Sequence, residues 1–164
     1  MTNRHFNVLF LCTGNSARSI MAEAIMNYKG APHFTAYSAG SHPSGAVRPE
    51  ALHQIAAARM PTDGLRSKNW DEFGRPSAPH MHFVFTVCDR AASEVCPVWP
   101  GHPLTARWSV PDPAAVKGTP EEIERAYRDA FHILDRRIGL FLSLPLATLE
   151  ASVIQNEIDR IGRL

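Results

Sequence analysis

Eight residues constrain this chain more than any others: Cys12-Thr13-Gly14-Asn15-Ser16-Ala17-Arg18-Ser19. The apolar run Asn7-Val8-Leu9-Phe10-Leu11 leads into them, and an amphipathic stretch follows. The pattern predicts a buried strand that delivers a cysteine into a short loop, and a helix that starts from that loop. The backbone N–H groups of such a loop, from Thr13, Gly14, Asn15, Ser16 and Ala17, point inward and form a cup for an oxyanion. Arg18 can grip two oxygens of a tetrahedral anion. The helix dipole and Arg18 together are expected to lower the pKa of Cys12 and supply a thiolate near neutral pH. Ser19 is expected either to cap the helix or to hydrogen-bond that thiolate. An inert cysteine at a strand end is the plainer reading, but it leaves Gly14, Asn15 and Arg18 unexplained.

The rest of the chain alternates strand and helix signals. Strands are predicted at Phe6–Cys12, His33–Ser38, Met81–Cys88 and, more weakly, Pro103–Trp108. Ser19–Lys29 reads as a helix with Met21, Ala24, Ile25 and Tyr28 on its buried face, stopped by Gly30. Pro49–Arg59 reads as a second helix. Pro61–Pro79 is mostly loop, with a helical turn at Asn69–Phe73. Thr119-Pro120-Glu121-Glu122 combines a capping box with an N1 proline. It opens a long helix whose stripe is Ile123, Tyr127, Ala130, Leu134, Ile138 and Phe141, before Pro145 and a last helix at Thr148–Ile161. The expected fold is α/β: an open, doubly wound, mostly parallel four-stranded sheet with helices on both faces. Such sheets bind ligands beyond the carboxyl ends of their strands, so Cys12 and Cys88 should face one cleft. No internal repeat or linker interrupts residues 1–164, which read as one domain.

Composition excludes several classes. With 17 Lys plus Arg against 16 Asp plus Glu, charge is balanced, and no basic run suggests nucleic-acid binding. No apolar stretch is long enough to span a membrane, and no secretory leader is read at the N-terminus. An odd number of cysteines, three, argues against a secreted disulfide framework and for a reducing, cytoplasmic location. No metal centre is expected: Cys-x2-Cys is absent, and His80 and His82 lack a third ligand nearby in sequence.

Two further groups carry chemistry. Asp112 stands between Pro111 and Pro113, which hold its carboxyl out of any regular ladder. Cys88 and Cys96 flank Asp89–Val95, where Asp89 can cap a short helix and Pro97 discourages its continuation. Eight residues of regular helix separate two thiols by roughly 12 Å, beyond the reach of a disulfide. They can pair only if the segment unwinds. From spacing alone, two unrelated buried thiols is the better reading.

The loop, together with Ser38-Ala39-Gly40 and Pro111-Asp112-Pro113, resembles the low-molecular-weight protein tyrosine phosphatases and, equally, their relatives the thioredoxin-coupled arsenate reductases. The resemblance runs along the chain to about Leu142. It implies that Cys12 is the nucleophile and that Asp112 protonates the leaving oxygen. It reverses the reading of Cys88 and Cys96, because those reductases carry one cysteine in the loop and two more flanking a short helix, one residue closer together than here. Phosphatases of this kind usually follow Asp-Pro with aromatic residues that wall a phosphotyrosine ring. Ala114, Ala115 and Val116 follow here, and with Gly118 and Cys96-Pro97-Val98-Trp99-Pro100-Gly101 they resemble the reductase pattern. Ala17 stands where both groups commonly have a second cysteine, so no disulfide can form within the loop. Asn15, Glu23 and Ser38 could gather behind the loop, where such reductases sometimes use a potassium ion or a hydrogen-bond network. Trp99 reads either as an exposed docking residue or, more commonly, as core.

The expected function is reduction of arsenate to arsenite. Cys12, Arg18, Asp112, Cys88, Cys96 and Ser19 form the catalytic set. No cofactor is expected to bind tightly. The electrons would come from a thioredoxin-like dithiol protein, or from glutaredoxin and glutathione. The alternatives are a phosphatase for phosphotyrosine or small phosphate esters, needing only Cys12, Arg18 and Asp112, and a non-catalytic oxyanion-binding regulatory module.

Overall fold

The first strand shows how the sheet is built. In β1 (Phe6–Cys12) the residues Val8 to Cys12 are all buried. Val8, Phe10 and Cys12 face the larger core, whereas Leu9 and Leu11 face a second, smaller one. A strand covered on both sides reads as a continuous apolar run, and such strands suit parallel sheets. The computed structural model of the chain describes residues 5–88, 99 and 101–164. Within them, β1 pairs in parallel with β2 (Phe34–Gly40) on one side and β3 (Phe83–Thr86) on the other, and β4 (Leu104–Arg107) extends the sheet beyond β3. The order β2-β1-β3-β4 puts the reversal of winding between β1 and β3, where open α/β sheets bind ligands.

Helices α1 (Arg18–Lys29), α2 (Pro49–Ala57), α4 (Pro120–Leu142) and α5 (Ala151–Gly162) pack in the larger core. The short α3 (Asp71–Gly74), with Trp70, Phe73 and Trp99, covers the other face. The doubly wound arrangement expected from the sequence is therefore present. The capping box that starts α4 is complete: Thr119 Oγ1 accepts from the Glu122 N–H at 3.2 Å, and the Thr119 N–H donates to Glu122 Oε1 at 3.1 Å. In the core, Phe85 stacks on Trp108 at 3.9 Å between centroids and meets Phe141 edge-on. Each such burial is worth about 1.5–3 kcal/mol, and together they hold β3, and so Cys88, against β1.

Several expectations need correction. Tyr28 is 52% exposed rather than part of the buried face of α1. β2 runs on through Ala39 and Gly40, because both pair with the end of β1. β3 is shorter than Met81–Cys88. Its ladder ends at Thr86, although the Val87 N–H still donates to the Leu11 carbonyl at 2.8 Å. α2 stops at Ala57, and Arg59 turns the chain away in the left-handed region at φ 62°. Residues 145–148 form a turn closed by Thr148 on the Pro145 carbonyl, so the last helix begins only at Ala151. Trp99 is buried and packs edge-on against Trp70, which makes it core rather than a docking residue. His82 accepts the Asn7 N–H at 2.9 Å through Nδ1. Burial, with His5 and His80 nearby, holds its pKa below the usual imidazole value. Among the described residues no three ligating side chains cluster, and no helix is long and apolar enough to cross a membrane. The segment expected to form a helix after Cys88, with Cys96 at its end, lies outside the described residues.

Candidate active site

The loop Cys12–Arg18 lines a cleft of about 780 Å³ at the carboxyl end of β1. Its outward carbonyls are tied down from one side. The N–H groups of His42, Ser44 and Arg48 donate to the carbonyls of Thr13, Gly14 and Ser16 at 2.9, 3.0 and 2.8 Å. Among the described residues, no acceptor engages the N–H groups of Gly14, Asn15, Ser16 or Ala17, so these donors remain for an anion. Gly40 makes the close approach of β2 possible: a Cβ there would meet the Thr13 and Cys12 carbonyl oxygens at 2.4 and 2.6 Å. That is the physical reason for glycine in Ser38-Ala39-Gly40.

Arg18 opens α1 and reaches across the cleft. Its Nη1 donates to the Val110 carbonyl at 3.0 Å, and Nη2 lies 3.5 Å from Asp112 Oδ2. Asp112 Oδ1 accepts the Ala114 N–H at 3.0 Å, capping a single 3-10 turn, Pro113–Ala115. One guanidinium thus locks the acid loop onto the anion loop. Cys88, two residues beyond β3, enters the same cleft, and its Sγ accepts the Thr13 N–H at 3.3 Å. Cys12 and Cys88 both line this cleft, both are buried, and neither is in a disulfide.

Residues 7–153 match the family model for low molecular weight phosphotyrosine protein phosphatases. The chain belongs to that family. Within it, the chain is 32% identical over 134 residues to an arsenate reductase of Halalkalibacterium halodurans, covering 82% of this chain and 93% of the relative. Its fold is also that of an arsenate reductase solved in a phosphate-binding state, with a TM-score of 0.69, 22% identity and coverage of 84% and 97% of the two chains. A thioredoxin-dependent arsenate reductase of Corynebacterium glutamicum superposes with a TM-score of 0.56 at 21% identity, over 85% of this chain and 65% of its own.

Three features of the site bear on its chemistry. First, among the described residues, the cleft lining beyond the loop is Ser44, Arg48, Cys88, Ser109, Val110, Pro111, Asp112 and Ala114. It contains no aromatic ring. Second, the Cys12 thiol is not set by the loop alone. The neighbouring Cys88 thiol and burial push its pKa up, against the Arg18 guanidinium and the Thr13 N–H. The direction is opposite to the lowering expected from the loop alone. Local sequence held the charges that lower the pKa, while the thiol that raises it comes from the segment after β3. Replacing Cys88 by alanine should lower the apparent pKa of Cys12, read from the pH dependence of iodoacetamide alkylation. An unchanged profile would show that the two sulfurs do not share the proton.

Third, a polar cluster lies behind the loop. Asn15, at φ 45°, is fully buried. Its Nδ2 donates to Ser19 Oγ at 2.7 Å and to Ser38 Oγ at 3.0 Å, and its Oδ1 accepts the Lys68 N–H at 2.9 Å. Ser19 is not the helix cap: the N-cap of α1 is Ala17, without a side-chain bond. The structure brings Asn15, Glu23 and Ser38 together as the sequence suggested. Lys68, Ser44, Arg48 and Ser109 were not singled out in the sequence, where each stands in a loop with no periodic or motif signal around it.

Proposed function

We propose that the chain is an arsenate reductase that works by a thiol relay, as one domain over its whole length. The observation that carries this reading is a second free cysteine, Cys88, in the lining of the anion cleft, its sulfur held by the Thr13 N–H next to Cys12. A phosphatase hydrolyses its cysteinyl intermediate with water and needs no second sulfur. Arsenate, as a dianion, would bind the N–H groups of Gly14 to Ala17 and the Arg18 guanidinium. Its basic oxygen would take the proton of Cys12 as the sulfur attacks arsenic, and Asp112 would protonate the departing oxygen. Cys88 would then attack Cys12 Sγ. The sulfur–arsenic bond breaks, its electron pair reduces As(V) to As(III), arsenite leaves, and a Cys12–Cys88 disulfide remains. Cys96 would attack Cys88 and free Cys12. The resulting Cys88–Cys96 disulfide passes to an external dithiol such as thioredoxin, or to a glutaredoxin and glutathione system. The relatives named arsenate reductase and the thioredoxin dependence of the Corynebacterium protein support this reading, as does a lining that, among the described residues, has no aromatic wall.

The test is turnover of arsenate with thioredoxin, thioredoxin reductase and NADPH, run beside an aryl-phosphate assay. NADPH consumption that depends on arsenate supports the relay. If thioredoxin, glutaredoxin and low-molecular-weight thiols all fail while aryl phosphate is hydrolysed, the phosphatase reading takes over. Cys12, Arg18 and Asp112 suffice for that chemistry, and the family match favours it as the second reading.

A further inference from the structure

Lys68 departs from what lysine usually does. It sits in the loop between α2 and α3, yet its side chain is 7% exposed, beside a Glu23 side chain that is 13% exposed. Lysine is rarely buried without a specific partner. Its Nζ donates to the Ser38 carbonyl at 2.7 Å and to Ser38 Oγ at 3.4 Å, and lies 3.8 Å from Glu23 Oε1. Arg66, two residues earlier in this loop, is engaged by Glu72 through two bonds of 2.7 and 3.1 Å. That leaves Lys68 in contact with Glu23.

We propose that Lys68 is a positioning residue for the oxyanion loop: its buried ammonium fixes the direction of the Ser38 hydrogen bonds, one of which holds the Asn15 side chain. Glu23 is ionised only if a cation offsets its burial, and an ionised carboxylate can only accept. Ser38 Oγ therefore donates to Glu23, at 2.5 Å, and must accept from the other side. What it accepts is the Nδ2 group of Asn15, which turns Oδ1 of that amide to the Lys68 N–H. The side chain so held keeps Asn15 in the left-handed region, a conformation an asparagine adopts at a cost unless local hydrogen bonds hold it. Asn15 is the turning point of the loop whose N–H groups face the cleft. Burial pushes Glu23 up and Lys68 down while each draws the other back, as expected for charges that depend on one another. Without the ammonium, Glu23 would take a proton, Ser38 would lose its one-way role, and Asn15 would be held only by Ser19 and the Lys68 N–H.

This inference rests on the reading of Cys12–Arg18 as an oxyanion cradle, and calorimetric titration with inorganic phosphate separates the two. The wild-type protein should bind phosphate. Lys68→Ala should bind it roughly 10- to 100-fold more weakly, the range seen when a residue supporting a ligand shell is lost. Ethylammonium ions, small enough to enter the space left by the side chain, should restore affinity to within a few-fold. The same ionic strength of sodium chloride should not, and neither salt should strengthen wild-type binding. Lys68→Met, which keeps the volume and removes the charge, should match the alanine variant without rescue. Wild-type-like affinity in the folded variants would overturn the proposal. A loss that ethylammonium cannot restore in Lys68→Ala would also overturn it. Unfolding of both variants would make Lys68 a determinant of the fold instead. A wild-type protein that binds no phosphate would remove the cradle itself, and this inference with it.

Discussion

Cys88→Ala should abolish multiple-turnover arsenate reduction, by at least about 10²-fold, and leave aryl-phosphate hydrolysis within a few-fold of wild type. The asymmetry follows from what each reaction must export. Ester hydrolysis returns Cys12 to its starting state by adding water to a cysteinyl phosphate. Arsenate reduction must carry two electrons away from the site, and among the described residues the sulfur placed to receive Cys12 is Cys88. Alanine leaves the Thr13 N–H without its sulfur acceptor but keeps the strand, since the Val87 N–H still reaches Leu11. Cys96→Ser should stall after one turnover and accumulate Cys12–Cys88, seen by peptide mapping under non-reducing conditions. If both variants reduce arsenate with thioredoxin as well as wild type does, the relay is wrong.

Asp112→Asn should slow aryl-phosphate hydrolysis by roughly 10²–10⁴-fold when the leaving group needs a proton, and should leave phosphate binding in place. The carboxyl is held by Pro111 and Pro113, by the Ala114 N–H at 3.0 Å and by Arg18 at 3.5 Å, over a cleft floored by Cys12. Asparagine keeps the cap on Ala114 but has no proton of comparable acidity to give. A more activated leaving group should recover much of the loss. That separates a missing acid from a displaced loop, because displacement would slow every leaving group alike. An unchanged rate with a poor leaving group would remove Asp112 from the mechanism.

Legibility tracked the range of the interactions involved. The strand, anion loop and helix could be read because their causes lie within about fifteen residues. These are an apolar run covered on both faces, a turn with free N–H groups, and a helix that begins at Arg18. The capping box at Thr119 and the stripe of α4 were equally local, and both are present. Element ends were less legible. Ala39 and Gly40 belong to β2 only because β1 lies alongside, and Tyr28 is exposed because the packing of α1 stops short of it.

The sequence by itself determined the fold class and the chemical groups: a cysteine, an arginine and an aspartate, each in a local frame that suits its task. Tertiary structure decided how those groups affect one another. Register between β1 and β3 sets Cys88 against Cys12, and that contact raises a pKa which the loop alone would have lowered. The turn before α3 brings Lys68 beneath Asn15, which lies 53 residues earlier in the chain. Hydrogen bonds and charges act through a few ångströms of space whatever the separation along the chain, so no local pattern could record them.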